Sequence, residues 1–159
     1  MADCRHYLNV LTDGLKKKNS ILTSLVGCNE RQAEAIKNQA SLEEFDKIVE
    51  EKAVYIDELG RIDNGFQAVY DRIKTELTDH REEYREEIAT LQDLIRQMTD
   101  LGVTVEAGEK RNKAAVEQYF AYTHNSVNRN RKSVKAVSDY YKNMSRVNYI
   151  DPQLLDQKK

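Results

Sequence analysis

Apolar residues recur along this chain every three or four positions, the period at which side chains line one face of an α-helix. The first series is Leu8, Leu11, Leu15, Leu22, Leu25 and Ile36, with Lys18, Asn29 and Gln32 at the intervening seam positions. This is the a/d pattern of a coiled-coil seam, whose polar members loosen the packing and can fix its register. It predicts a helix over about residues 3–39. Gly14 and Gly27 fall inside it, and each costs a helix about 1 kcal/mol relative to alanine.

Ser41-Leu42-Glu43-Glu44 reads as a capping box, in which a serine hydroxyl and a glutamate three residues on satisfy each other's backbone N–H groups. A second helix is therefore expected from Leu42, with Phe45, Ile48, Tyr55, Ile56, Leu59 and Ile62 on one face. So few residues between two helices fold them back as an antiparallel hairpin. Asp63-Asn64-Gly65 is the strongest turn signal in the chain. The amphipathic stretch after it (Phe66, Val69, Tyr70, Ile73, Leu77) is either a separate short helix or a continuation of the second after a kink.

Thr78 or Asp79 is the expected cap of the last helix, with Glu82, Glu83, Glu86 and Glu87 suiting its first turns. Tyr84, Ile88, Leu91, Ile95, Met98 and Val105 hold a strict seam, which weakens at Glu109 and Asn112. It resumes as Val116, Phe120, Val127, Val134, Val137, Tyr141 and Met144, displaced by about one position as a straight helix drifts from a seven-residue repeat. Beyond residue 120 the stripe is thin, with Thr123 and Asn130 at inward positions. Such a helix gains stability by laying its stripe against a partner. Asp151-Pro152 ends it, or opens a final turn that presents Leu154 and Leu155. The fold class that follows is all-α: an elongated antiparallel helical hairpin or bundle with a very long C-terminal helix and coiled-coil-like seams. Residues 1–120 are expected to form a platform, and 121–159 an amphipathic arm and tail.

Composition narrows the alternatives. One proline and six glycines in 159 residues are too few for a sandwich, barrel or doubly wound sheet, each of which needs many turns. No apolar run reaches the roughly 18–20 residues of a membrane span, and residues 1–20 lack the apolar core of a secretory signal. The expected location is cytoplasmic. Cys4 and Cys28 lie on one helix about 36 Å apart at roughly 1.5 Å per residue, beyond disulfide reach. With His6, His80 and His124 scattered, neither a metal site nor a cofactor is expected.

The net charge of −2 conceals two unlike parts. Residues 1–108 hold 14 Lys/Arg against 22 Asp/Glu, whereas residues 109–159 hold 11 against 5. Six of the twelve aromatic residues (Tyr119, Phe120, Tyr122, Tyr140, Tyr141, Tyr149) also fall in the last 41 positions. Tyrosine combines apolar area with a polar tip, which suits a bundle edge and a partner interface alike. The basic stretch Arg129-Asn130-Arg131-Lys132-Ser133-Val134-Lys135 could neutralise phosphates. An acidic platform would repel a duplex, so these cations read as the outer face of a valine-seamed helix, and no nucleic-acid partner is expected. Catalytic templates are missing: there is no phosphate-cradling glycine loop, no Gly-x-Ser-x-Gly and no His-Glu-x-x-His. No enzyme activity is expected.

Taken together, these features resemble the FlgN family of flagellar type III export chaperones. The resemblance rests on the leucine seam Leu8–Leu25, the segment Ser41-Leu42-Glu43-Glu44-Phe45-Asp46-Lys47-Ile48-Val49-Glu50-Glu51-Lys52, and Glu109-Lys110-Arg111-Asn112 within the long helix. It rests equally on the ending Tyr140-Tyr141-Lys142-Asn143-Met144, then Tyr149-Ile150-Asp151, before a lysine terminus. The family resemblance implies a cytoplasmic, helical, non-enzymatic protein that holds hook–filament junction proteins export-ready and delivers them to the membrane export gate. It further implies that the C-terminal helix engages the amphipathic terminal helix of the client, which here assigns Val127, Val134, Val137, Tyr141 and Met144. Tyr140, Tyr149 and Ile150 are candidates for client or gate contact. Any contact with the membrane apparatus would run through protein.

The residues support a holdase without the resemblance. A strongly seamed platform and a thin apolar stripe flanked by lysines and arginines would accept a helix through anchors at i, i+3, i+4 and i+7. The competing reading is a structural coiled-coil or adaptor protein that self-associates through its long C-terminal helix.

Overall fold

The computed structural model describes residues 2–119, which form three helices: α1 (Ala2–Lys37), α2 (Leu42–Asp79) and α3 (Arg85–Tyr119). At 36 residues α1 is about 54 Å long, at roughly 1.5 Å per residue. Both other helices pack on it. Contacts of Lys17 with Glu58 and of Arg72 with Tyr7 show α2 running antiparallel to α1. Those of Arg5 with Glu87 and of Asn29 with the Val105 carbonyl show α3 running parallel to it. The expected all-α elongated bundle is the observed architecture.

Position between two neighbours explains the burial of α1. Its seam starts at Cys4 and alternates steps of four and three through Leu8, Leu11, Leu15, Lys18, Leu22, Leu25, Asn29 and Gln32, all buried. Its flanks are buried as well, Asn19 on one side of the seam and Ile21 with Cys28 on the other, because one stripe cannot serve partners on two sides. The main core joins Cys4, Leu8, Leu11, Leu15, Ile21, Leu22 and Leu25 of α1 to Leu59, Phe66, Tyr70, Ile73 and Leu77 of α2, and to Tyr84, Ile88, Leu91, Leu94, Met98 and Val105. Each fully buried leucine contributes about 1.5–3 kcal/mol relative to an exposed one. A smaller cluster, Phe45 and Val116 with the half-buried Ile36 and Val49, closes the opposite end.

The connections follow local chemistry. After Lys37, the Ala40 N–H donates to the Ala35 carbonyl (2.9 Å) and the Gln39 N–H to that of Ile36 (3.2 Å). This is a Schellman closure, in which the residue after the cap takes a left-handed conformation, here Gln39 at φ 55°. The helix therefore ends two residues before the expected boundary. Ser41 then caps α2, its hydroxyl accepting from the Glu44 N–H (3.3 Å), as its sequence signature required.

Two expectations are corrected. Asp63-Asn64-Gly65 forms no turn: α2 continues through it to Asp79. Burial decides against the local signal, since Asp63 occupies a seam position and is 2% exposed. Thr78 and Asp79 likewise end α2 instead of capping α3, and the Thr78 hydroxyl donates back to the Lys74 carbonyl (2.8 Å). Residues 80–84 form the turn, and the Tyr84 carbonyl accepts the first bond of α3, from the Ile88 N–H. The continuation of the long helix past Tyr119 lies outside the described residues.

At the start of the bundle the Cys4 thiol and the Tyr84 phenol are both buried in the core, and the phenol donates a long hydrogen bond to the Glu76 carboxylate (3.5 Å). Burial pushes the thiol up, and it pushes the phenol up to about 12.

Two predictions follow from this architecture. Gly65 is exposed in mid-helix with open space where a Cβ would stand, so Gly65→Ala should raise stability by about 0.5–1 kcal/mol in a denaturant melt. A turn at this position would give the opposite sign. The second concerns alkaline pH. An acid whose folded pKa is raised contributes stability fully below its unfolded value and loses it as pH climbs to the folded one. The melting temperature should therefore fall between pH 10 and about 12 as Tyr84 is forced to ionise, and Tyr84→Phe should flatten that portion of the profile. Lys18, pulled below its usual 10.5 mainly by burial, acts in the opposite sense and equally in both proteins.

Candidate functional site

The residues expected to bind a partner (Val127, Val134, Val137, Tyr140, Tyr141, Met144, Tyr149 and Ile150) all lie outside the described residues. What the structure does show is the end of the bundle from which the chain enters that segment. There α1, α2 and the last turns of α3 meet around side chains of unusual polarity for a core.

Lys52 of α2, 1% exposed, is the centre of this layer. Its ammonium donates to the Gln32 side-chain carbonyl of α1 (3.0 Å) and pairs with the Glu109 carboxylate of α3 (2.5 Å). Asn112, one helical turn beyond Glu109, donates to the Asn29 backbone carbonyl (2.8 Å) and weakly to Gln32 (3.4 Å). The Asn29 amide in turn donates to the Val105 carbonyl at 3.2 Å. All three helices are thus joined through buried polar atoms. α3 comes unusually close here: a Cβ on Gly108 would stand 2.9 Å from Asn29 Nδ2 and 3.2 Å from its Cβ. Only glycine fits that approach without displacing a buried, hydrogen-bonded amide.

A second polar contact lies nearer the middle of α1. Lys18 and Asp63, 0% and 3% exposed, pair at 2.7 Å. Next to it the Asn19 amide donates to the Leu94 carbonyl (3.1 Å), tying α1 to α3 as Lys18 ties it to α2. Burial lowers the Lys18 pKa while the Asp63 carboxylate opposes that shift. Arg31 and Glu51 (2.8 Å) add an exposed α1–α2 pair, worth at most about 1 kcal/mol.

Lys18, Asn29 and Gln32 were legible in the sequence as polar seam members, and the structure gives each its partner. Lys52 and Asp63 were missed. Their signal was present, since both fall on the series Phe45, Ile48, Lys52, Ile56, Leu59, Asp63, Phe66, Tyr70, Ile73 and Leu77. A reading confined to apolar residues skips charged members of a seam. Glu109 and Asn112, which looked like a weak patch, are the α3 half of the layer.

The arrangement is built to hold helices in place. Among the described residues no group of His, Cys, Asp or Glu could hold a metal ion, and no helix is long and apolar enough to cross a membrane. Removing one member of a buried pair leaves the other charge uncompensated, whereas replacing both with apolar groups of similar volume is neutral or stabilising. Glu109→Leu should accordingly lose about 3–5 kcal/mol, and Lys52→Met with Glu109→Leu should recover all of it and exceed the parent by about 1 kcal/mol. Chemical denaturation of the two variants beside the parent checks this, and additive losses would refute the coupling.

Compared with known proteins, the chain matches the family model described as FlgN protein over residues 1–144. No curated protein and no solved structure matches it.

Proposed function

The chain belongs to the FlgN family, and from that membership we propose that it is a non-enzymatic export chaperone of flagellum assembly, working in the cytoplasm. Residues 1–120 serve as the platform and residues 121–159 as the arm that captures a client. The client is a hook–filament junction protein, bound through its amphipathic terminal helix and handed on to the export gate.

The observation that carries this reading is the extent of the family match. It spans the three-helix bundle and runs on through Val127, Val134, Val137, Tyr140, Tyr141 and Met144, stopping short of Tyr149 and Ile150. In this reading Val127, Val134, Val137, Tyr141 and Met144 form the client stripe, and Tyr140, Tyr149 and Ile150 contact the client or the gate. The bundle supports the division of labour, because its polar seam members Lys18, Gln32 and Asn112 find partners among the three described helices. Helix-in-groove capture uses only a few apolar anchors, so that affinity stays modest and release requires no nucleotide.

Deleting residues 126–159 tests the proposal directly. The truncated protein should keep its cooperative melt while binding of the terminal helix of a junction protein, followed by calorimetry, disappears. Full-affinity binding by the truncated form would move the client surface onto the bundle. A permanent, concentration-independent oligomer lost on the same deletion would instead favour self-association through the C-terminal helix.

A further inference from the structure

The two halves of α3 are held by different physics. Its first half sets Ile88, Leu91, Leu94 and Met98 into the main core, beside Tyr84 of the preceding turn. Separating that half from α1 would bring a large apolar surface into water. After Val105, the buried side chains of α3 among the described residues are Glu109, Asn112 and Val116. Separation there uncovers the small apolar cluster of Val116, Phe45, Ile36 and Val49, and it returns water to the Lys52 ammonium, the Glu109 carboxylate, the Gln32 side chain and the Asn112 amide. The Asn29 side-chain carbonyl, buried and without a hydrogen-bond partner, also gains one. Rehydration of buried charges offsets much of the attraction lost when they part.

We propose that the distal half of α3, residues 106–119, opens from the α1–α2 hairpin as a unit, with the Lys52–Glu109 pair as its latch. Gly102 and Gly108 are the only glycines of α3, and they flank the point where the apolar seam gives way to the polar layer. The hairpin keeps its own contacts in the open form, including Lys52 with Gln32 and Arg31 with Glu51. Opening therefore releases α3 without dismantling the end of the bundle. The device is independent of what the C-terminal arm binds.

Amide hydrogen exchange on the full chain tests it. Amides of residues 109–116 should exchange at least about tenfold faster than those of 88–102, at one common rate. Helix-end fraying would instead give a gradient confined to the last turn. Lys52→Met with Glu109→Leu should slow exchange over 109–116 by about fivefold or more while leaving 88–102 unchanged. Equal protection along 88–116, a terminal gradient, or unchanged rates in the double variant would overturn the proposal. Should the double variant fail to fold, the profile of the unaltered protein decides alone: the step after Val105 supports the latch and its absence refutes it.

Discussion

Everything in this bundle depends on α1 lying between the other two helices. A helix packed on one neighbour needs a single stripe, but α1 must satisfy two, and its buried surface widens accordingly. Leucines fill the shared line of contact. The flanks carry Asn19, Ile21 and Cys28, and the two polar steps of the seam, Lys18 and the Asn29–Gln32 turn, are each answered from outside. Lys18 is answered from α2 by Asp63, whereas Asn29 and Gln32 are answered from both α2 and α3. α1 sets where its neighbours sit over most of their length, since each of them grips it at a polar point as well as along an apolar line. The α2 and α3 helices meet directly at Lys52–Glu109 and Phe45–Val116.

This explains what could be read from the chain and what could not. Seam periodicity is a property of burial, so the elements and their core faces were legible from leucine and isoleucine spacing. Turn propensity is a property of a few residues in isolation. At Asp63-Asn64-Gly65 the two disagreed, and burial of Phe66, Tyr70, Ile73 and Leu77 further along the same helix prevailed. The α1–α2 junction is the reverse case. Ser41 announced the start of α2, but a glutamine in the left-handed conformation at residue 39 carries no sequence mark, because glycine or asparagine normally stands there. The candidate client surface was legible only as a stripe of valines and tyrosines, and its residues follow the part of the chain that the structure describes. Its polar counterpart at the end of the bundle was hidden because charged residues are ordinarily taken for surface.

The gradient from apolar to polar along α3 also gives the charge asymmetry of the sequence a structural place. The acidic excess belongs to the described bundle, whose outer faces carry it in exposed carboxylates such as Glu50, Glu82 and Glu86. The change of sign begins at Glu109-Lys110-Arg111, in the same turns where the core changes character. The layer at that end of the bundle is buried, polar and neutral in sum through Lys52 and Glu109.

The Lys18–Asp63 pair has one more effect. Two heptad-patterned helices can slide past each other by seven residues and still bring apolar side chains together, so a purely leucine seam tolerates that error. Here such a slide would set Lys18 against Ile56 or Tyr70, and Asp63 against Leu25 or Leu11. Each misplacement strands an ion in hydrocarbon, at several kcal/mol per charge. The pair adds little to the depth of the correct arrangement; it raises the neighbouring ones, and so leaves this hairpin a single way to close.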